Sequence, residues 1–140
     1  MKAVLVALAL VTPAGLAGQS PALDDAAERA QAAWQSHNVT ALVADSPRLL
    51  VQLPGTDPSV ALGPAQAAAL LRDFLAQATE VETDIRAARE VESGRGYVEL
   101  QRSYRIEGTQ EVRVQSLLLG YRQSRAGWIL VELRVVGAGN

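Results

Sequence analysis

Arg102 occupies the position in this sequence that is hardest to explain without a chemical role. It lies in a segment of alternating apolar and polar residues, on the apolar side, together with Val98, Leu100, Tyr104 and Ile106. A charge that faces a protein core is costly unless it is paired or borders a wet cavity. The functional hypothesis is an anion-recognising group at a pocket mouth, with Trp34, Tyr104 and Ser116 lining the pocket. The structural alternatives are a buried ion pair, a snorkelling side chain, or a β-bulge that turns Arg102 outward.

The other candidates for acid–base chemistry have simpler explanations. His37 is the only histidine and precedes Asn38 at a helix break, where capping or solvation is expected. Asp45 precedes a Ser-Pro pair, and an Asx-turn accounts for it. The alternating acids Glu80 and Glu82 are expected on a solvated strand face. The sequence therefore predicts no catalytic residue.

The composition excludes several classes of site. The chain has no cysteine and one histidine, which rules out thiol nucleophiles, disulfides, Cys-based zinc sites and His clusters. Its net charge is −2, whereas nucleic-acid binding needs a concentrated basic patch. Neither a phosphate-cradling glycine loop nor a serine-nucleophile motif occurs. No metal, cofactor or nucleic-acid partner is predicted.

The first 17 residues have the form of a secretory signal peptide. Lys2 precedes an apolar run, AVLVALALV, and small residues follow, with Gly15 and Ala17 at the −3 and −1 positions of the predicted cleavage site. The run is shorter than the roughly 20 residues of a membrane span. We expect residues 1–17 to be a leader, 18–23 a linker, 24–137 a single domain and 138–140 a tail. The protein is then exported, to the periplasm or beyond, with no stable membrane insertion after the leader is removed.

The elements that must position Arg102 begin as helices and end as strands. A helix is predicted from Asp24 to the break at Ser36, a short second helix from Val39 to Ala44, and a third from Pro64. A short strand spans residues 49–53. From Val81 onward the apolar period changes from 3.6 to 2, over about four long strands joined by short turns. This order predicts an α+β fold, with N-terminal helices packed on a curved antiparallel sheet.

The alternation also predicts which face of each strand packs on the helices. In the third long strand we expect Val112, Val114, Ser116 and Leu118 to face inward, and in the fourth Ile129, Val131, Leu133 and Val135. The opposite face would then carry an exposed apolar patch of Leu117, Leu119, Tyr121, Trp128 and Leu130. Such a patch is typical of an interface, so we expect a homodimer or a protein partner on this face.

A family resemblance follows from this order of elements. The helix that ends in Trp34, the segments SHNVTALVADSPRLLVQLPG and LGPAQAAALLRDFL, and the hairpin-linked strands ending in WILVELRV resemble the nuclear transport factor 2-like superfamily. The resemblance runs from about Asp24 to Val136 and concerns pattern rather than a diagnostic motif. The chain is most similar to small secreted bacterial members that have no assigned function. The superfamily includes SnoaL-like and ketosteroid-isomerase-like proteins, whose curved sheet wraps the helices into a cone with an internal pocket.

The resemblance implies three hypotheses for function. Enzymes of the superfamily direct a carboxylate or histidine into the cone, with a tyrosine or second acid as partner. Because no such pair is readable here, we expect a non-catalytic domain that binds a small molecule or a protein partner, such as an envelope protein, through the cone pocket or the sheet face. The first alternative is a SnoaL-like isomerase, dehydratase or cyclase, with Asp45 or His37 as base and Tyr104 as hydrogen-bond donor. The second alternative is a structural subunit of an envelope assembly.

Overall fold

The computed structural model describes residues 21–137. The helices are α1 (Pro21–Gln35), α2 (Val39–Val43) and α3 (Pro64–Leu75). The strands are β1 (Leu50–Gln52), β2 (Ala78–Glu92), β3 (Arg95–Ile106), β4 (Val112–Ser124) and β5 (Gly127–Gly137). The predicted leader, the first residues of the predicted linker and the tail lie outside the described residues.

Helix α1 begins at Pro21, three residues before the predicted start at Asp24. Proline suits a helix start because the first amide hydrogens have no partner within the helix. Leu23 is fully buried, and its side chain packs beside Gly96 of β3. The end of the predicted linker therefore belongs to the domain core.

The sheet has the strand order β1-β5-β4-β3-β2. The long strands β2 to β5 pair as antiparallel hairpins, as predicted, and the short β1 adds a fifth strand that runs parallel to β5. Strand β2 lies at an edge, where α1 packs against it and Gln31 Nε2 donates to the carbonyl of Thr83 at 2.7 Å. The predicted α+β class is confirmed.

The inward face of β4 is the opposite of the predicted one. Leu117, Leu119 and Tyr121 are buried, whereas Val112 and Val114 are 48% and 36% exposed. Both faces of β4 carry aliphatic residues, so alternation alone does not choose between them. The register with β3 decides which face is inward, because Leu117 pairs with Leu100 and Leu119 pairs with Val98.

A β-bulge in β5 changes which of its residues face inward. Gly120 pairs with Glu132 and Tyr121 with Leu130, so Val131 is an extra residue without an opposite partner. Before this bulge Trp128 and Leu130 are buried, and after it Leu133 and Val135 are. The predicted inward set was therefore right only for Leu133 and Val135.

The predicted interface patch is wrong for the same reason. Its members are all at most 7% exposed and belong to the hydrophobic core: Leu117, Leu119, Tyr121, Trp128 and Leu130. They pack under the helices and do not form the exposed patch that the alternation predicted. Self-association stays a prediction, but these five residues are no longer candidates for its interface.

Candidate functional site

Arg102 faces the interior of the cone, as predicted from its strand alternation. Its neighbours on the same face of β3, Val98, Leu100 and Tyr104, are buried, and Arg102 itself is only 1% exposed. The β2–β3 register places Thr83 directly opposite Arg102. The guanidinium is therefore fixed between sheet and helices, away from solvent.

The charge of Arg102 is paired with the carboxylate of Glu80. Its Nε donates to Glu80 Oε2 at 3.0 Å, and a second nitrogen, Nη2, donates to Glu80 Oε1. The third contact is Nη1 to Gln115 Oε1 at 3.0 Å. Two parallel bonds of this kind fix both the distance and the plane of the ion pair. The buried ion pair, left open as an alternative by the sequence, is the arrangement found.

Three aromatic rings enclose the same guanidinium. Its central carbon lies 3.9 Å from the ring centre of Tyr104, 5.3 Å from that of Trp34 and 5.8 Å from that of Phe74. Such cation–π contacts are strongest where water is excluded, as it is here. The structure thus brings together three of the residues predicted as a pocket: Trp34, Arg102 and Tyr104.

Ser116, the fourth predicted pocket residue, does not join them. It pairs with Gln101 and Val136 on the outer face of the sheet, because the inward face of β4 is carried by the odd-numbered residues. Gln115 takes the place opposite Arg102. The error in Ser116 therefore has the same origin as the error in the face of β4.

Glu80 is a site residue that sequence reasoning missed. Glu80 and Glu82 were both expected on a solvated face, but the Glu80 side chain is only 2% exposed. A β-bulge at Val81 separates the two, so Glu80 pairs with Tyr104 while Glu82 pairs with Ser103, one residue earlier in β3. The sequence did contain one indication, since pairing with a buried acid is one of the ways to accommodate an inward Arg102.

His37 connects this ion pair to the surface. Its Nε2 lies 3.0 Å from Glu80 Oε1, and its side chain is 29% exposed. The capping role predicted here belongs to Asn38, whose Oδ1 accepts from the amide of Ala41 at 3.1 Å. We call Arg102, Glu80, Gln115, His37 and the three enclosing rings the Arg102 cluster.

The backbone of His37 is as unusual as its side-chain contact. Its φ is 57°, in the left-handed region that a non-glycine residue adopts at a cost. The amides of His37 and Asn38 donate back to the carbonyls of Trp34 and Ala33, which closes the end of α1 as a Schellman motif. A glycine would suit this position better, so the contact with Glu80 is what the imidazole adds.

A separate cleft of about 390 Å³ opens between α1, α2 and the β4–β5 hairpin. We call it the α1–α2 cleft. Alanines make up much of its lining. Two charged residues also line it: Arg29 on α1, and Asp45 just after α2. Tyr121, Trp128 and Leu130 line it from the sheet. Asp45 thus lies at this cleft, while Tyr104, its predicted catalytic partner, lies against Arg102 inside the cone.

Three of the polar residues that line the α1–α2 cleft can donate hydrogen bonds from large side chains: Arg29, Tyr121 and Trp128. Burial raises the pKa of Tyr121 to about 12, a rise that the positive charge of Arg29 partly opposes. The phenol therefore keeps its proton near neutral pH and can donate it. The indole Nε1 of Trp128 is buried without a hydrogen-bond partner among the described residues. No group of three or more His, Asp or Glu residues that could hold a metal ion occurs within residues 21–137.

Solved structures show which fold this arrangement has. A ketosteroid isomerase-like protein from Erwinia carotovora atroseptica is similar at a TM-score of 0.69, with 15% sequence identity, covering 85% of this chain and 95% of that one. A nuclear transport factor 2-like protein with a cystatin-like fold from Novosphingobium aromaticivorans has a TM-score of 0.59 and 17% identity, covering 83% of this chain and 79% of its own. The chain has the nuclear transport factor 2-like fold.

An enzyme also has this fold. An LEH-like epoxide hydrolase from M. tuberculosis is similar at a TM-score of 0.60 and 15% identity, covering 83% of this chain and 81% of its own. No protein-family model matches the sequence, and no curated protein matches it. At these identities the likeness concerns the fold, which hosts different activities, so function must be argued from the sites.

Proposed function

We propose that this protein is an exported domain that binds a small molecule in the α1–α2 cleft and has no catalytic centre in its cone. The lack of a catalytic centre is inferred from the engagement of the Glu80 carboxylate. Both of its oxygens accept hydrogen bonds from Arg102, and Oε1 also contacts His37. A general base needs a free oxygen within reach of a substrate proton. Here Arg102 and His37 take three of the roughly four acceptor positions of the carboxylate, and the Glu80 side chain is only 2% exposed.

The interior of the cone leaves little access for a substrate around that carboxylate. Glu80 is 2% exposed at its side chain, and Trp34 and Arg102 are each 1% exposed. The rings of Trp34, Phe74 and Tyr104 occupy the space above the guanidinium. This packing favours a structural role for the Arg102 cluster over the isomerase, dehydratase or cyclase alternative.

The α1–α2 cleft has the features expected of a ligand site. Its volume of about 390 Å³ lies near the lower end of the range for small-molecule pockets. Apolar walls with a few polar groups are the usual composition of such pockets. Tyr121 is one of these polar groups, and its burial raises the pKa of its hydroxyl. These properties support the cleft, rather than the cone interior, as the ligand site.

A neutral aromatic probe tests this proposal. We expect 2-naphthylmethanol to shift the backbone amide resonances of α2 in an NMR titration of the mature protein. Ala41 lines the cleft and is exposed on α2, so Ala41→Trp should fill the cleft and weaken binding at least about tenfold. Ala69→Trp is the matched control, because Ala69 is exposed on α3 and is not among the residues that line the cleft.

Either of two results would contradict the proposal. One is the absence of any resonance shift at the cleft with millimolar probe. The other is equal binding by the Ala41→Trp and Ala69→Trp variants. Thermal unfolding of both variants checks that the domain remains folded.

A further inference from the structure

We infer that the α1–α2 cleft takes an apolar molecule with a single carboxylate, held by Arg29 and Tyr121. This inference rests on the proposed function and names the class of ligand. It depends on three properties of the cleft: its alanine-rich lining, the donors Arg29 and Tyr121, and the exposed acid Asp45.

The floor of the cleft suits a compact ring system. Ala26, Ala30 and Ala33 follow helical spacing along α1, and Ala41 faces them from α2. Methyl side chains leave open the volume that a leucine or phenylalanine at these positions would fill. A cleft of about 390 Å³ corresponds to a ligand of one or two rings rather than a long chain.

The hydrogen-bond donors of the cleft favour a ligand with an anionic acceptor. Arg29 has five N–H groups and no acceptor, and it lines the same cleft as Tyr121. Among the described residues Arg29 forms no ion pair, since the charged pairs found there involve other arginines and His37. A guanidinium pairs with the two oxygens of a carboxylate through two parallel hydrogen bonds, and the Tyr121 phenol adds a further donor in the same cleft.

The acid at the rim limits the ligand to one negative charge. Asp45 is exposed, lines the cleft and forms no ion pair among the described residues. A second carboxylate on the ligand would gain nothing from Asp45 and would be repelled by it. The cleft thus favours a monocarboxylate over a dicarboxylate of the same shape.

Three naphthalene probes with one ring system separate these contributions. We expect 2-naphthoate to bind the mature wild-type protein about tenfold more tightly than 2-naphthylmethanol, the ratio expected for one charge-assisted hydrogen bond. Naphthalene-2,6-dicarboxylate should bind more weakly than 2-naphthoate. Isothermal titration calorimetry or the same NMR titration gives the dissociation constants.

Variants assign the preference to residues. Arg29→Gln should bring the affinity for naphthoate down to about that for the alcohol, because glutamine keeps a hydrogen-bond donor but carries no charge. Tyr121→Phe should reduce the same advantage in part. Asp45→Asn should improve binding of the dicarboxylate. Arg113→Gln is the matched control, since Arg113 is a half-exposed arginine on β4 that is not among the cleft-lining residues.

The outcomes distinguish this inference from the proposed function. Equal binding of alcohol and naphthoate to the wild type overturns the inference and leaves the proposed function standing. A naphthoate preference that survives Arg29→Gln also overturns it. If none of the probes binds in the cleft, both the proposed function and the inference fail.

Discussion

At the scale of single residues, the Arg102 cluster shows how an inward charge is accommodated. The guanidinium makes hydrogen bonds to Glu80 and Gln115 and contacts three rings, so its hydration is replaced by fixed partners. Burial of an ion pair costs desolvation energy, and its net effect on stability is small compared with the cost of removing one member. The cluster is therefore sensitive to substitution even where it plays no chemical part.

Replacing Arg102 tests this sensitivity. Arg102→Met keeps a long apolar side chain but leaves the Glu80 carboxylate buried without its cation, which should lower the free energy of unfolding by about 3–5 kcal/mol. Urea denaturation of the mature domain measures the loss. Arg113→Met is the control, because it removes an exposed ion pair, in which Arg113 Nη2 lies 3.6 Å from Glu111 Oε2. That change should cost less than about 1 kcal/mol, and equal losses in the two variants would contradict the assigned role.

Tyr121 gives the domain a pH dependence at the alkaline end. Burial raises its pKa from 10.0 in model compounds to about 12 in the folded protein. The folded state therefore holds the phenolic proton more tightly than the unfolded chain does. This contribution to stability, of about 2 to 3 kcal/mol, is present in full below pH 10 and is lost as the pH rises toward 12.

The matching measurement compares urea unfolding of wild type and Tyr121→Phe between pH 9 and 11.5. The wild type should lose more stability over this range than the variant, because phenylalanine has no proton to release. Lys2 is the only lysine and lies in the predicted leader, so lysine titration does not obscure the comparison in the mature chain. Parallel curves for the two proteins would show that Tyr121 does not supply the effect. Tyr97→Phe should give a smaller difference, since the Tyr97 side chain is less buried.

At the scale of elements, the sequence predicted the helices and hairpins well but not all the inward faces. The boundaries of α2 and α3 and the order of the long strands follow from local signals: a cap at Asn38, a proline at the start of α3, and short turns between strands. The faces depend on register and bulges, which are long-range properties. The extra residue at Val81 or at Val131 reverses which residues face inward beyond it. No residue type in either strand indicates where the extra residue lies.

A pair of neighbouring leucines tests the face assigned to β4. Leu117 is fully buried opposite Leu100, whereas Leu118 is half-buried on the outer face opposite Glu99. Leu117→Ala should lower the free energy of unfolding by about 2–5 kcal/mol, because it leaves a cavity in the core. Leu118→Ala should cost clearly less, since water can fill the space that it leaves. A larger loss for Leu118→Ala would restore the face predicted from alternation.

At the scale of the whole molecule, the Arg102 cluster and the α1–α2 cleft are separate sites. The Arg102 cluster is buried and charge-paired in the cone interior, and the cleft lies outside it, between the helices and the β4–β5 hairpin. Strand alternation correctly pointed to Arg102 as a buried charge but gave no hint of the α1–α2 cleft. That cleft is formed by residues from both helices and two strands, and its alanines are indistinguishable in sequence from other helix-forming alanines. Within residues 21–137 no helix is long and apolar enough to cross a membrane.

Export is a prediction about the whole chain, and it can be tested against the fold. Cleavage after Ala17 would leave a few residues before α1 begins at Pro21 and would keep the buried Leu23 in the mature protein. Expression of the full chain in a bacterium, followed by fractionation and N-terminal sequencing, should yield a periplasmic protein that starts at Gly18.

Ala17→Leu places a bulky side chain at the −1 position and should leave the leader attached. Ala14→Leu is the control, since its position lies outside −3 and −1. A protein that keeps Met1 and stays in the cytoplasm would refute the leader, while the unfolding behaviour of residues 21–137 would remain the same, because the core begins beyond the cleavage site.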